Sequence, residues 1–184
     1  DANADDDLTY RPGRLGCQIG AGLIATNTSE ISAALATSML ETDDGPQFSW
    51  LRWGSESGAG PGEGGAMNNL QPLWLLKYLP NMLACHVTIL HGAEGPSNTI
   101  TCGEASGLLS VGEAARVIER GDADACFAGG AEDKLGLMGM ARMHVARRLA
   151  DTGDSIEPVQ FCRPYDAHAP GGLLGEGGAV MILE

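Results

Sequence analysis

Basic residues are scarce in this chain: 11 Lys and Arg stand against 24 Asp and Glu, a formal net charge of −13 over 184 residues. So acidic a surface gains nothing from nucleic acid or an anionic membrane, and neither is expected as a partner. Long apolar runs are missing as well. No stretch approaches the ~20 apolar residues of a bilayer-spanning helix, and no signal-peptide pattern opens the sequence. The cysteines at 17, 85, 102, 126 and 162 form no C-x-x-C pair and stand far apart in apolar or small-residue surroundings. Disulfides and zinc are thereby disfavoured, and the thiols are read as reduced, mostly buried core residues of a cytoplasmic protein. The histidines at 86, 91, 144 and 168 lack the carboxylate spacing of a metal-binding helix and are read as structural, so no metal is expected. The glycine-rich stretch 58–65 has no strand leading into it and no Gly-Lys-Ser or Gly-Lys-Thr after it. Glu63 within it would repel phosphate, so a nucleotide loop is rejected.

What remains is enough for one globular domain, since 43% of the residues are hydrophobic. Residues 1–14 are polar, with Asp5, Asp6 and Asp7 read as a solvated end, and 15–19 read as a strand. Ile31, Leu35 and Met39 recur at helical spacing behind a Thr-Ser cap region, predicting a helix over 28–39. Residues 41–65 lose periodicity and read as a Gly/Ser/Pro-rich loop, which Trp50 and Trp53 anchor or line. After the apolar 70–79, Pro80 suits the first turn of a buried helix through Leu83, Val87 and Leu90 to a stop at Gly92.

The chain is organised around 95–121. A β-type run, 98–102, meets a small-residue turn at Gly103, Glu104 and Ala105, and an amphipathic helix follows with Leu108, Val111, Ala115 and Ile118 on one face. Glu113 and Arg116 stand opposite, and Gly121 suits the helix end. A turn held at a helix N-terminus sits in a field that lowers a thiol's pKa, which is why nucleophiles are placed there. Here the turn carries Glu104. A second strand, 125–128, then enters Gly129-Gly130, and strand, elbow, helix, strand is an α/β signature. Residues 134–149 read as a glycine-bearing helix whose Arg142, Arg147 and Arg148 form the only dense basic patch, a solvated face or a docking site for an acidic partner. A loop over 151–160 and an apolar strand in the last six residues complete the chain.

These segments resemble the first half of the β-ketoacyl-acyl carrier protein synthases, thiolase-fold condensing enzymes of fatty acid and polyketide synthesis. The likeness is strong over 70–184 and weak over 14–40. It is carried by Asn81-Met82, Gly95-Pro96, Ala105-Ser106-Gly107, the run from Gly112 to Arg116, GDADACFAGGAED at 121–133, Arg163-Pro164-Tyr165-Asp166 and Gly175-Glu176-Gly177. The resemblance implies an α/β thiolase-like N-terminal half, a mixed sheet covered by helices. On that reading the chain, 1–184, is an incomplete domain lacking the family's first, central strand and the second half with its two catalytic histidines. A sheet without that strand is expected to leave two rows of unpaired backbone groups, so the chain should not fold autonomously.

The resemblance also implies the site. The family's nucleophilic cysteine stands eight residues after the proline of the Gly-Pro pair, where this sequence has Glu104. Cys102 lies before the activating helix end and is read as a small core residue. Gly103, Ala105 and Gly172 would wall the substrate pocket, with Gly172 where a phenylalanine is usual and Ala169-Pro170 where Arg-Asp is usual. No cofactor is implied; the substrates would be phosphopantetheine thioesters on acyl carrier protein, for which Arg142, Arg147 and Arg148 are a docking patch. Strand 98–102 would pair across a homodimer, or a heterodimer with a Cys-containing ketosynthase. Glu104 cannot do the work of a thiolate, so the expected role is a non-condensing subunit in acyl chain elongation. A malonyl-carrier-protein decarboxylase, requiring a protonated Glu104, an altered condensing acyltransferase and an unrelated binding protein are the alternatives.

Overall fold

The computed structural model describes residues 10–22, 24, 26–54 and 65–184, so the acidic run at Asp5–Asp7 and the stretch 55–64 lie outside the described residues. Strand β1 (Leu15–Gly20) is followed by helix α1 (Thr28–Thr37), strands β2 (Met39–Thr42) and β3 (Gly45–Phe48), and the short helix α2 (Trp50–Gly54). Helix α3 (Met82–His91), strand β4 (Ser97–Ile100), helix α4 (Ser106–Glu119), strand β5 (Ala125–Asp133), helix α5 (Leu137–Val145) and strand β6 (Glu176–Leu183) complete the order.

Strands β4, β1, β5 and β6 form one mixed sheet in that order, the first three parallel and β6 antiparallel to β5. The expected central gap is not there. Strand β1 pairs directly with β5 from Leu15↔Ala125 to Gly20↔Gly130, so those backbone groups are satisfied within the described chain. Residues 16–20 are buried throughout, as suits a parallel strand covered on both faces. Alternation assigns the two faces: Cys17, Ile19 and Phe127 pack on α3 through Ala84, while Cys126 and Ala128 pack on α4 through Ala114. At the start of the central strands, Arg14 makes a two-pronged bond to Asp124 (3.1 and 2.5 Å) and a third bond to the Gly121 carbonyl at 2.7 Å.

Helix α4 is rotated from the face its apolar residues suggest: Val111 and Ile118 pack on the core as expected, but the fully buried line lies beside them. The buried line is Ser106, Ser110, Ala114 and Val117, and Leu108 is 81% exposed. The cause lies in the sheet. A Cβ on Gly20 would fall 2.4 Å from the Ser106 carbonyl carbon, so glycine-rich strand ends admit the helix backbone itself and select its small residues. Ser110 makes the contact polar as well: its hydroxyl accepts the Gly129 N–H at 3.1 Å and lies 2.7 Å from the carbonyls of Gly129 and Gly107. On the opposite face Glu113 pairs with Arg120 at 3.6 Å.

Other expectations are corrected in the same terms. Helix α1 ends at Thr37, capped at its start by Asn27, and buries only Ala34, because Met39 begins β2. Of the supposed loop 41–65, the described part holds the β2–β3 hairpin and α2; Trp53 packs against the cluster of Ala34, Ala66 and Leu70, and Trp50 is 79% exposed. Helix α3 stops at a left-handed Gly92 as expected but begins at Met82, beyond Pro80, and is half exposed, with only Ala84 buried. Strand β5 runs on to Asp133, α5 spans only Leu137–Val145, and β6 has eight residues. Only Cys17 and Cys126 are buried; Cys102, expected in the core, is exposed, as is Cys162. Burial pushes the Cys17 thiol up to about 11, which makes it inert.

Candidate active site at the strand-helix elbow

Strand β4 ends at Ile100, two residues sooner than the pattern suggests, because the chain is already turning. Gly103 takes a left-handed conformation (φ +59°), and the Ser106 hydroxyl accepts the Cys102 N–H at 2.8 Å while donating to the Gly103 carbonyl at 2.6 Å. These bonds fold 102–106 into a tight joint ahead of α4, and β4 occupies an edge of the sheet. Cys102 lies before the helix, so the dipole field that would activate a thiol is not centred on it.

Glu104 stands at the turn of this joint. Its side chain is 70% exposed, and Arg148 Nη1 donates to its Oε1 at 2.6 Å. A hydrogen bond from its own backbone N–H, followed by the Arg148 charge, holds the Glu104 carboxyl below the usual glutamate value. In the described chain Glu104 is exposed rather than buried, and its surroundings favour the ionised carboxylate.

Arg148 is brought there by constraints on both sides. Arg147 adopts a left-handed backbone (φ +54°) just after α5, and the next residues are tied to the Gly171–Gly172 turn. Gly172 N–H donates to the Arg148 carbonyl at 2.8 Å, and Ala150 N–H donates to the Gly172 carbonyl at 2.9 Å. A Cβ on Gly171 (φ +143°) would sit 2.6 Å from the Ala150 nitrogen. Gly172 thus acts through the backbone that positions Arg148. Neither it nor Ala105 is among the residues lining the cavity below.

That cavity, of about 780 Å³, opens beside the elbow between α4, the end of β5 and residues 173–175. Gly103, Glu104, Ser106 and Gly107 form its elbow wall, and Leu108, Val111, Leu173, Leu174, Met143 and Met181 supply apolar surface. Arg142, Lys134 and Glu132 complete the polar part, the last two paired at 3.0 Å. A second space of about 650 Å³ shares Ala21, Gly22 and Glu132 with it and reaches Leu83 and Ile24. None of the four histidines lines either space. Of the three arginines expected to form one docking patch, Arg148 is engaged by Glu104, Arg142 lines the cavity, and Arg147 does neither. Arg148 as partner of Glu104, and the Lys134–Glu132 pair, escape sequence reasoning; a carboxylate at an elbow is itself the signal that a cation should be sought nearby.

The fold and this elbow define a ketosynthase-type half-domain, and the comparisons agree. Residues 68–184 match the family described as "Beta-ketoacyl synthase, N-terminal domain", and the chain belongs to that family. It is 38% identical over 115 residues to 3-oxoacyl-(acyl-carrier-protein) synthase 2 of Vibrio cholerae, covering 62% of this chain and 27% of that one. Among solved structures it resembles a β-ketoacyl synthase from Burkholderia phymatum (TM-score 0.66, 24% identity, covering 96% of this chain and 36% of that one). It also resembles the ishigamide ketosynthase/chain length factor (TM-score 0.51, 20% identity, covering 98% and 38%). The chain spans about a quarter of the length of the curated relatives it matches.

Proposed function

We propose that this chain is the N-terminal half of a β-ketoacyl synthase-type subunit in fatty acid or polyketide chain elongation, and that it does not condense acyl groups by itself. The observation that carries the reading is Glu104 at the elbow turn, where a nucleophile would stand, ionised and bonded to Arg148. A thiolate exchanges with a thioester in a near-balanced step. A carboxylate attacking the same thioester would form a mixed anhydride that water destroys, so no stable acyl-enzyme results.

The charge also bears on the decarboxylating alternative. A malonyl carboxylate near an ionised Glu104 meets like charge, partly offset by Arg148, whereas a neutral group there would accept it. The lowered proton affinity of Glu104 therefore favours the non-condensing partner over the priming decarboxylase. Acyl groups would arrive as phosphopantetheine thioesters on acyl carrier protein, docking near the exposed Arg142 and Arg147. Edge strand β4 offers unpaired backbone groups to a second subunit, either a copy or a Cys-containing ketosynthase. Five free thiols suit a reducing, cytoplasmic setting.

The test uses the full-length gene product with malonyl-carrier protein, following carbon dioxide release and acyl transfer for the native protein and for Glu104→Cys. Inactive native protein and a condensing Glu104→Cys variant are expected. Condensation or decarboxylation by the native protein alone would overturn the reading.

A further inference from the structure

The elbow cavity has both its acids satisfied and one cation left over. Glu104 is bonded to Arg148, and Glu132 is paired with Lys134 at 3.0 Å. Arg142 lines the same space and makes no ion pair among the described residues. The first turn of α4, at Ser106 and Gly107, adds the positive end of a 14-residue helix to that wall. The remaining surface is largely aliphatic: Leu108, Val111, Met143 and Leu173 all face the cavity. In a protein of formal charge −13, the lining of this cavity balances Glu104 and Glu132 against Lys134 and Arg142, and Arg142 is the member left without an ion pair among the described residues.

We propose that this cavity takes an apolar chain ending in a free carboxylate, and that Arg142 is the counter-ion fixing the carboxylate end. The inference rests on reading the cavity as an acyl site and adds the charge of the ligand to it. A guanidinium offers two parallel N–H bonds that match a carboxylate and cannot lose its proton, whereas an ester or thioester end presents no charge to it. Glu104 sharpens the orientation, because its negative charge repels the carboxylate from the elbow and leaves the Arg142 end as the one place for it.

Isothermal titration of the full chain, with any subunit that purifies with it, tests this with three probes: dodecanoate, methyl dodecanoate and acetate. Native protein should bind dodecanoate about tenfold more tightly than the ester, the size of one charge-assisted hydrogen bond. Arg142→Gln should abolish that preference, Arg142→Lys should keep most of it, and acetate, lacking a tail, should give no measurable heat. Equal affinity for acid and ester in the native protein, or an unchanged preference in Arg142→Gln, would overturn the carboxylate assignment and leave the acyl site standing. Binding of acetate as tight as that of dodecanoate would also overturn it, by showing a surface anion site. Failure of both long-chain probes to bind would remove the acyl-site reading along with this one.

Discussion

Two arginines bridge distant parts of this chain, and they do so differently. Arg14 grips Asp124 with two prongs and adds a bond to the Gly121 carbonyl, at the end of the sheet where β1 and β5 begin. Arg148 holds Glu104 by a single bond at the opposite, elbow end, where both side chains are more than half exposed. Three bonds from one planar group define a single geometry. One exposed bond can be exchanged for another partner at little cost. The first pair belongs to the frame, and the second borders a cavity where a ligand can compete for either member.

The most severe way to break that frame is between the two pairs, where α4 lies on the sheet. Gly20→Val should abolish folding, read as loss of near-ultraviolet circular dichroism, since even a Cβ there would meet the Ser106 backbone at 2.4 Å. Ser110→Ala should lower unfolding stability by about 1–3 kcal/mol, measured by urea denaturation, because the buried Gly129 N–H loses its acceptor. The Arg14–Asp124 pair should show itself in acid. Its guanidinium holds the Asp124 carboxyl below the ordinary 3.8, so the stability it contributes is complete above that value and is lost as pH falls through the lower folded value. Urea midpoints of native protein and Asp124→Asn should therefore differ near neutrality and converge below about pH 3.8. Smallest should be the effect of Glu104→Gln or Arg148→Gln on stability, no more than about 1 kcal/mol for so exposed a pair. A loss as large as that of Ser110→Ala would make the elbow pair part of the frame and erase the contrast.

The order of strands and helices follows closely from patterns within single segments. Strand β1, the Gly92 stop of α3 and the strand-turn-helix at 97–119 each depend on spacings a few residues long. The inward face of α4 does not. Counting apolar residues finds Val111 and Ile118, which do pack on the core, but also selects the exposed Leu108, whereas glycines on another segment decide that Ser106, Ser110 and Ala114 go deepest. The β2–β3 hairpin is hidden for a related reason: Asp, Gly and Pro at its turn dominate a composition that resembles loop, while pairing across Met39↔Phe48 creates the strands. At the site, Glu104 stands out because an elbow ahead of a helix is a local feature. Its partner Arg148 comes from 44 residues away through turns at Arg147 and Gly171, and no short-range pattern connects them.

The direct β1–β5 pairing has a consequence for how the molecule is assembled in time. Arg14 and Asp124, which mark the start of that ladder, are 110 residues apart in sequence. During synthesis β1 leaves the ribosome long before β5 exists, and the hairpin, helices α1 to α4 and strand β4 are all made in the meantime. The sheet must then zip across a large loop, so folding should be slow for the protein's size and governed by the arrival of 125–133. Until then β1, the most completely buried strand of the finished molecule, has β4 on one edge and an open row of backbone groups on the other, and the nascent chain depends on whatever shields that edge.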